Sequence, residues 1–349
     1  MHAPSDRIQA FANVGKYLTD FLSNPAAEHH ERARATVALA FHKNGWFTER
    51  EVNRALTYWS EALNEDDLAS WTKPYVPDQV EPLSVGLILA GNIPLVGFHD
   101  ILCTILSGHR AIIKPSSVDS VLIEWMMERL VVTTPQANDW FELRNETQRM
   151  SDYDAVIATG SNNSARYFEH YFGDVPHIIR KNRTSVAVLD GTESEDQLAL
   201  FMQDIFDYYG LGCRNVTKVF LPKGYDLNKI FAASLPFVYV MDNKKYANNY
   251  AYHRTLMMMQ QRHVLENDVL LMAASESLFS PVSVLHYAYY EDIEQVEMEL
   301  KAQEEQIQCV VSKTGVTFGK AQKPQMNDYA DGVDTMHFLR NLKAVKASK

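Results

Sequence analysis

One cysteine, Cys213, stands in the stretch YYGLGCRNVTKVFLP, between Gly212 and Arg214. Three kinds of role are open to it. A buried packing residue is the common case for a free cysteine. A metal ligand would need a second cysteine or histidine at ligand spacing, and none accompanies it. A nucleophile would need room for an electrophile and help in forming the thiolate. Gly210 and Gly212 supply the room, and Arg214 would favour the thiolate.

Three further segments carry side chains suited to ligand chemistry. LILAGNIPLVG delivers Asn92, a neutral two-proton donor, to the end of an apolar run. Asn also caps helices, so a turn role competes. AIIKPSS places Lys114 at a strand end, followed by Ser116 and Ser117. A lysine there reaches a ribose or phosphate, or simply faces solvent. ATGSNNSARYF places Thr159, Gly160 and Ser161 before a helix, where backbone N–H groups suit an anion. Turns use the same small residues. The dense run HIIRKNR, with Arg180, Lys181 and Arg183, is a candidate for thiolate activation, phosphate binding or plain surface charge.

These residues need a scaffold, and the hydrophobic pattern describes one. Residues 6 to 72 read as helices. TEREVNRALTYWSEAL opens with Thr48 and Glu51 at capping-box spacing, then sets Val52, Leu56, Trp59 and Leu63 on one face. Such a layer is a cover over a sheet, or a lid. From Leu83 the rhythm changes to alternating strand and helix. LSVGLILAG is a continuous apolar run, as buried parallel strands are. IPLVGFHDILCTILSG reads as a helix from Pro94, RAIIKP as a strand, and SSVDSVLIEWMMERLVV as a helix. DWFELR and DYDAVIATGS follow as strands, NNSARYFEHYFG as a helix and TSVAVLDG as a strand. SEDQLALFMQDIFDYYG reads as a helix with Ser194 and Gln197 as a capping box, ending at Gly210. It would point its negative end at the cysteine, the wrong sign for a thiolate. VTKVFLP, PFVYVM, a polar helix, DVLLMAA, SPVSVLHYAYY and IQCVVSK make a second α/β unit, and DYADGVDTMHFLRNL a closing helix. The expected division is an N-terminal helical segment at 1–75, a cofactor-binding Rossmann-like domain at 76–209, a catalytic α/β domain at 210–325, and a C-terminal helix and tail at 326–349.

Composition narrows the function. The chain has 349 residues, and its formal net charge is −11. That argues against a nucleic-acid partner, which would need a basic face. No apolar run reaches membrane-spanning length. The start MHAPSDRIQAF lacks a secretory pattern. Three cysteines, Cys103, Cys213 and Cys309, are too few and too scattered for a disulfide framework or a Cys-x-x-Cys zinc site, so no metal is expected. The reading is cytoplasmic.

In their order, these blocks resemble the aldehyde dehydrogenase superfamily from about Leu83 to Val311. GLILAGNIPLVGFHDILCTILSGHRAIIKPSS is similar to its Asn-x-Pro and Lys-Pro-Ser blocks, IATGSNNSARYF to its Thr-Gly-Ser block, YYGLGCRNVTKVFLP to its Gly-x-x-Cys block, and SLFSPVSVL to its Phe-Gly-Pro-Val block. AGNIPLVG, GCRNV and the tail FGKAQKPQMNDYADGVDTMHFL bring it nearest to the fatty acyl-CoA reductase (LuxC-like) branch. The resemblance implies an α/β, aldehyde dehydrogenase-like fold of two doubly wound parallel-sheet domains with an N-terminal helical segment. It implies Cys213 as nucleophile, Asn92 and the Cys213 N–H as oxyanion donors, and Lys114, Ser116, Ser117, Thr159, Gly160 and Ser161 around the cofactor.

Departures from the family pattern refine the expectation. Where acid-forming members carry a Leu-Glu-Leu-Gly-Gly block, this chain has HIIRKNRTSVAVL, with no glutamate to activate water. An acyl-enzyme here would take a hydride or exchange with a thiol. Ser117 replaces a glutamate frequent in NAD-preferring members, which admits a 2′-phosphate: NADPH is expected, with NADH also compatible. Ser277 stands where a ribose-binding glutamate is frequent, beside Glu276. The chain is shorter than usual for the superfamily, which points to a pared-down oligomerisation arm, although a homo-oligomer stays compatible. The implied activity reduces a fatty acyl thioester, carried by CoA or an acyl carrier, to the aldehyde, with an acyl-transferring protein as a compatible partner. The alternatives are an acylating aldehyde dehydrogenase and a non-catalytic cofactor-binding scaffold.

Overall fold

The computed structural model describes residues 4–75, 81–145 and 147–343. The chain forms two compact units, residues 1–181 with 325–349, and residues 182–324. The expected boundary at 75/76 adjoins residues 76–80, which lie outside the described residues, as does the tail end 344–349.

The first unit starts with four helices, α1 (Pro4–Ser23), α2 (Glu31–Lys43), α3 (Glu49–Ala62) and α4 (Glu65–Thr72). Thr48 is the N-cap residue of α3, while Glu51 turns to Arg54 Nε at 3.0 Å. Val52, Leu56, Trp59 and Leu63 are all buried, as their spacing predicts. Trp59 meets Phe98 edge-on at 4.8 Å between ring centroids, so the layer is a packed cover sharing one core with the helices beyond it. Each such side chain contributes about 1.5–3 kcal/mol on burial.

An α/β region follows: β1 (Ser84–Ile88), α5 (Phe98–Leu106), β2 (Arg110–Lys114), α6 (Ser120–Thr133), β3 (Phe141–Leu143), β4 (Ala155–Thr159), α7 (Asn162–Phe172) and β5 (His177–Arg180). The strands are all parallel, in the order β3-β2-β1-β4-β5. The chain runs outward to one side through β2 and β3, then to the other through β4 and β5. The reversal between β1 and β4 is the switch point where such sheets open a crevice at their carboxyl ends.

The second unit holds β6 (Thr184–Val188), α8 (Glu195–Phe206), β7 (Val216–Pro222), α9 (Asn228–Ser234), α10 (Lys244–Met259), β8 (Leu265–Glu266), β9 (Leu271–Ala274), β10 (Val284–Tyr290), α11 (Ile293–Ala302) and β11 (Ile307–Val311). Its strand order is β11-β6-β7-β10-β9-β8, parallel except for the β8–β9 pair. The apolar run PFVYVM lies in a 3-10 helix, Leu235–Asp242. The last helix among the described residues, α12 (Thr335–Arg340), returns to the first unit and buries Met336 and Leu339 in its core.

Three boundaries differ from the sequence reading. The two sheets divide at 181/182 and not at 209/210, because β6 pairs with β7 and β11 in the second sheet. Helix α5 starts at Phe98 and not near Pro94, because Leu95 takes a left-handed φ of 59° and donates its N–H to Asp119 Oδ2 at 2.9 Å. Helix α8 ends at Phe206 and not at Gly210: Tyr208, Tyr209 and Gly210 all have positive φ, which no α-helix carries. The Ser194–Gln197 capping box forms as expected.

Candidate active site

In the first unit, the expected ligand-binding residues gather along the carboxyl edge of the sheet. Ile88, Lys114 and Ala158 stand side by side in register on β1, β2 and β4. Asn92 follows β1 as an exposed residue in a bend, Lys114 ends β2, and Thr159, Gly160 and Ser161 lead from β4 into α7. Ser116 is half-buried and Ser117 exposed in the turn after β2.

Close packing shapes this edge. A Cβ on Gly91 would lie 2.6 Å from the Ser116 Cβ, so glycine lets the β1 and β2 loops touch. A Cβ on Gly160 would meet Ser164 Cβ at 2.8 Å and Phe168 at 2.9 Å, so glycine seats α7 tightly on β4. Ser161 caps α7 by accepting the Ser164 N–H at 3.2 Å. Lys114 donates to the Gln148 carbonyl at 2.8 Å, which holds its ammonium at the edge and leaves two further protons to donate.

The sequence reading missed Asp119. Its carboxyl is buried and takes the Leu95 N–H, which fixes the turn carrying Asn92 toward α5. Burial pushes its pKa well above the ordinary carboxylate range, with the Leu95 N–H opposing. Nothing local marks it: one aspartate after Lys-Pro-Ser-Ser gives no sign of its partner.

Cys213 lies in the second unit, in the turn before β7, and is half-buried, whereas Cys103 and Cys309 are buried. Burial and the Asp100 charge push the Cys103 thiol up strongly, which works against thiolate formation there. The Cys213 turn is locked by Asn215, also unmarked in the sequence reading. Asn215 has no exposed surface. Its Oδ1 accepts the Gly212 N–H at 2.7 Å, and its own N–H donates to the Gly212 carbonyl at 3.0 Å. Its Nδ2 donates to the carbonyls of Asp207 at 2.8 Å, Asp204 at 3.1 Å and Ile205 at 3.2 Å. Ser185 Oγ donates to the Cys213 carbonyl at 3.0 Å from the start of β6.

This arrangement changes the helix-dipole problem. The carbonyls at the C-terminal end of α8 are capped by the Asn215 amide, and the left-handed Tyr208–Gly210 segment separates the helix from the cysteine. Two carbonyls at the negative end of α8 are thus hydrogen-bonded to the turn that carries the sulfur.

The cationic run HIIRKNR divides into separate structural roles. Arg180 is buried and pairs with Asp100 Oδ1, and also donates to the Ala330 carbonyl at 2.8 Å and Thr335 Oγ1 at 3.0 Å. Burial works against its charge, but Asp100 more than restores it. Lys181 pairs with Glu169 at 3.0 Å, and Arg183 donates to the carbonyls of Glu304 and Ile307. Ser277 Oγ donates to the Phe279 carbonyl at 2.9 Å, and the Glu276 carbonyl accepts the fully buried Lys218 ammonium at 3.0 Å.

Comparison with known proteins follows the same lines. A model of the acyl-CoA reductase (LuxC) family matches residues 78–230. A search of curated proteins finds no match. Among solved structures, the NAD-dependent aldehyde dehydrogenase of Sinorhizobium meliloti superposes with a TM-score of 0.65 at 11% identity, over 92% of this chain and 73% of that one. An aldehyde dehydrogenase of Mycobacterium tuberculosis in complex with NAD+ gives 0.64 at 15%, over 89% and 74%. Aldehyde dehydrogenase C of Pseudomonas syringae, a mutant in complex with NAD+ and octanal, gives 0.62 at 12%, over 90% and 73%. The fold is that of the aldehyde dehydrogenases. Within that class the chain is similar to the acyl-CoA reductase (LuxC) family, and the findings together support an oxidoreductase of the aldehyde dehydrogenase/LuxC type.

Proposed function

We propose that this chain reduces an acyl thioester, with CoA or an acyl carrier as leaving group, to the aldehyde through an acyl group held on Cys213. The observation that carries the reading is the Cys213 turn: it presents the accessible cysteine of the three and is pinned by a fully buried amide. Cys213 thiolate attacks the thioester carbonyl, and the Asn92 amide and the Cys213 N–H hold the oxyanion. Donors so placed are worth about 3–4 kcal/mol where measured. The C–S bond to the carrier breaks, the carrier thiolate leaves and takes a proton from solvent, and the acyl group stays on Cys213.

A reduced nicotinamide cofactor, NADPH or NADH, supplies the hydride when bound. The glycine-tightened edge at Gly91 and Gly160 suits a dinucleotide, with Lys114, Ser116, Ser117, Thr159, Gly160 and Ser161 as its holding residues. Once the acyl carbon is reduced, the carbon–sulfur bond breaks, the aldehyde carbonyl forms and Cys213 returns as thiolate.

Water is a poor competitor in this reading. Asp190 and Glu193 lie in the loop after the far end of β6, which runs about 10 Å beyond Ser185. Both are engaged, Asp190 by Lys313 at 2.8 Å and Glu193 by the N–H groups of Asp190 and Gly191. Neither is placed to activate water at Cys213.

The test is turnover. The protein is mixed with NADPH or NADH and acyl-CoAs of graded length, and the loss of nicotinamide absorbance is followed. Oxidation that depends on the thioester and vanishes in Cys213→Ala is expected. Binding of the cofactor without turnover of any thioester would favour the scaffold reading instead.

A further inference from the structure

The N-terminal cover carries a cluster that the proposed reaction does not use. Asp20 lies in the last turn of α1, and the chain then reverses through Asn24–Ala27 into a single 3-10 turn, Glu28–His30. The reversal is fixed by its own bonds: Asn24 N–H to the Asp20 carbonyl at 2.9 Å, Ala27 N–H to Asn24 at 3.2 Å, and His30 N–H to Ala27 at 3.1 Å. Arg34 adds bonds from α2 to the carbonyls of Pro25 and Ala27. The two imidazoles of His29 and His30 are thereby held 4.0 Å apart, tilted by 48°.

Both rings aim the same atom at the same oxygen. His29 Nε2 lies 3.1 Å and His30 Nε2 3.0 Å from Asp20 Oδ2. The three ligand atoms all fall within 4.8 Å of one another. A tetrahedral ion with bonds of about 2.0–2.1 Å has ligand–ligand edges of roughly 3.3 Å, so the carboxylate oxygen already stands near coordination spacing from each nitrogen. His30 is fully buried, wedged edge-on against Tyr17 at 5.3 Å and Phe21 at 5.4 Å. His29 and Asp20 are more than half exposed, which leaves a way in for an ion and a place for water.

We propose that Asp20, His29 and His30 form a site for a divalent first-row transition-metal ion, which clips the end of α1 to the start of α2. Two imidazoles and a carboxylate suit zinc or cobalt and not magnesium or calcium, which take oxygen ligands. The sequence reading expected no metal. Its signal was hidden because the third ligand sits nine residues before His29, on another element. His30 Nδ1 is buried without a hydrogen-bond partner among the described residues, against aromatic neighbours. Metal-ligating histidines ordinarily gain about 10–100-fold in affinity from such a partner, so this site is weaker than a fully supported one by that factor.

The experiment uses untagged full-length protein, stripped with chelator and titrated with cobalt(II). One tetrahedral cobalt band per chain is expected, displaced by zinc. Zinc at roughly hundredfold excess over its dissociation constant should raise the melting temperature by several degrees. His29→Ala and Asp20→Asn, both at exposed positions, should fold but lose the band and the shift. Cys213→Ala should keep both. A band unchanged in His29→Ala, a band lost in Cys213→Ala, or no band at saturating cobalt would each overturn the proposal; so would a melting temperature indifferent to zinc.

Discussion

Replacing Asn215 by alanine should loosen the cysteine turn and destabilise the second unit. The wild-type amide accepts one bond, from Gly212, and shares its two protons among three carbonyls. Counting about 1 kcal/mol net for each of three bonds gives about 3 kcal/mol. A typical domain has only about 5–15 kcal/mol in hand. At roughly 4 °C per kcal/mol for a unit of this size, the melting temperature should drop by about 12 °C. Asn215→Asp makes the sharper test, because it keeps shape and one acceptor but loses both donors. It also turns a carboxylate toward three carbonyls, so it should be at least as damaging as alanine. Thermal unfolding of the three proteins reads the stability. Turnover well below the variants' melting points should also fall, by as much as roughly 10²-fold if the sulfur shifts by about 1 Å. A melting temperature within about 2 °C of wild type, or a fully stable Asn215→Asp, would refute the reasoning.

Other outcomes follow from the same geometry. Asn92→Ala should lower turnover by roughly 10²–10³ with cofactor affinity kept, as titration calorimetry can check; unchanged turnover would remove Asn92 from oxyanion binding. Asp204 is buried and accepts the Gly319 and Ala321 N–H groups, and burial raises its pKa to about 6. The folded state therefore holds this proton more tightly than the unfolded chain does. Stability is full below the unfolded pKa near 4 and is lost as pH rises toward about 6, by about 3 kcal/mol. Urea unfolding at pH 4.5 and 7 should show about 2 kcal/mol of that loss in wild type beyond the loss in Asp204→Asn, since part of it has already occurred by pH 4.5; equal losses would refute it. Asp100→Ala should strand the buried Arg180 charge and destabilise the first unit by about 3–5 kcal/mol, while removing both partners should cost less than the sum of the single changes. Additive losses in thermal melts would contradict this.

Much of the fold was legible because its signals are local. Apolar runs ending in glycine mark β1, and Ser194 with Gln197 marks the start of α8, since both patterns depend on neighbours in the chain. Cys213, Asn92, Lys114 and the Thr159–Ser161 turn were picked out by residue type at strand ends. What stayed hidden was non-local. No property of TSVAVLDG says which sheet it joins, because a buried parallel strand reads the same in either. Tyr208 and Tyr209 in left-handed conformation run against the preference of bulky residues, and only the surrounding packing and Asn215 explain them. HIIRKNR looked like one cationic patch, yet its arginines point to partners distant in sequence, at Asp100 and Glu304. Asp119 and Asn215 were ordinary polar letters until their buried partners were seen.

The central claim is that Cys213 carries the acyl group. It is tested most directly by incubating the protein with an acyl-CoA in the absence of reductant and mapping the added mass on peptides. One acyl group on the peptide containing Cys213 is predicted, discharged as aldehyde when NADPH is added and absent in Cys213→Ala. An acyl group on another residue, or labelling that survives in Cys213→Ala, would contradict the account.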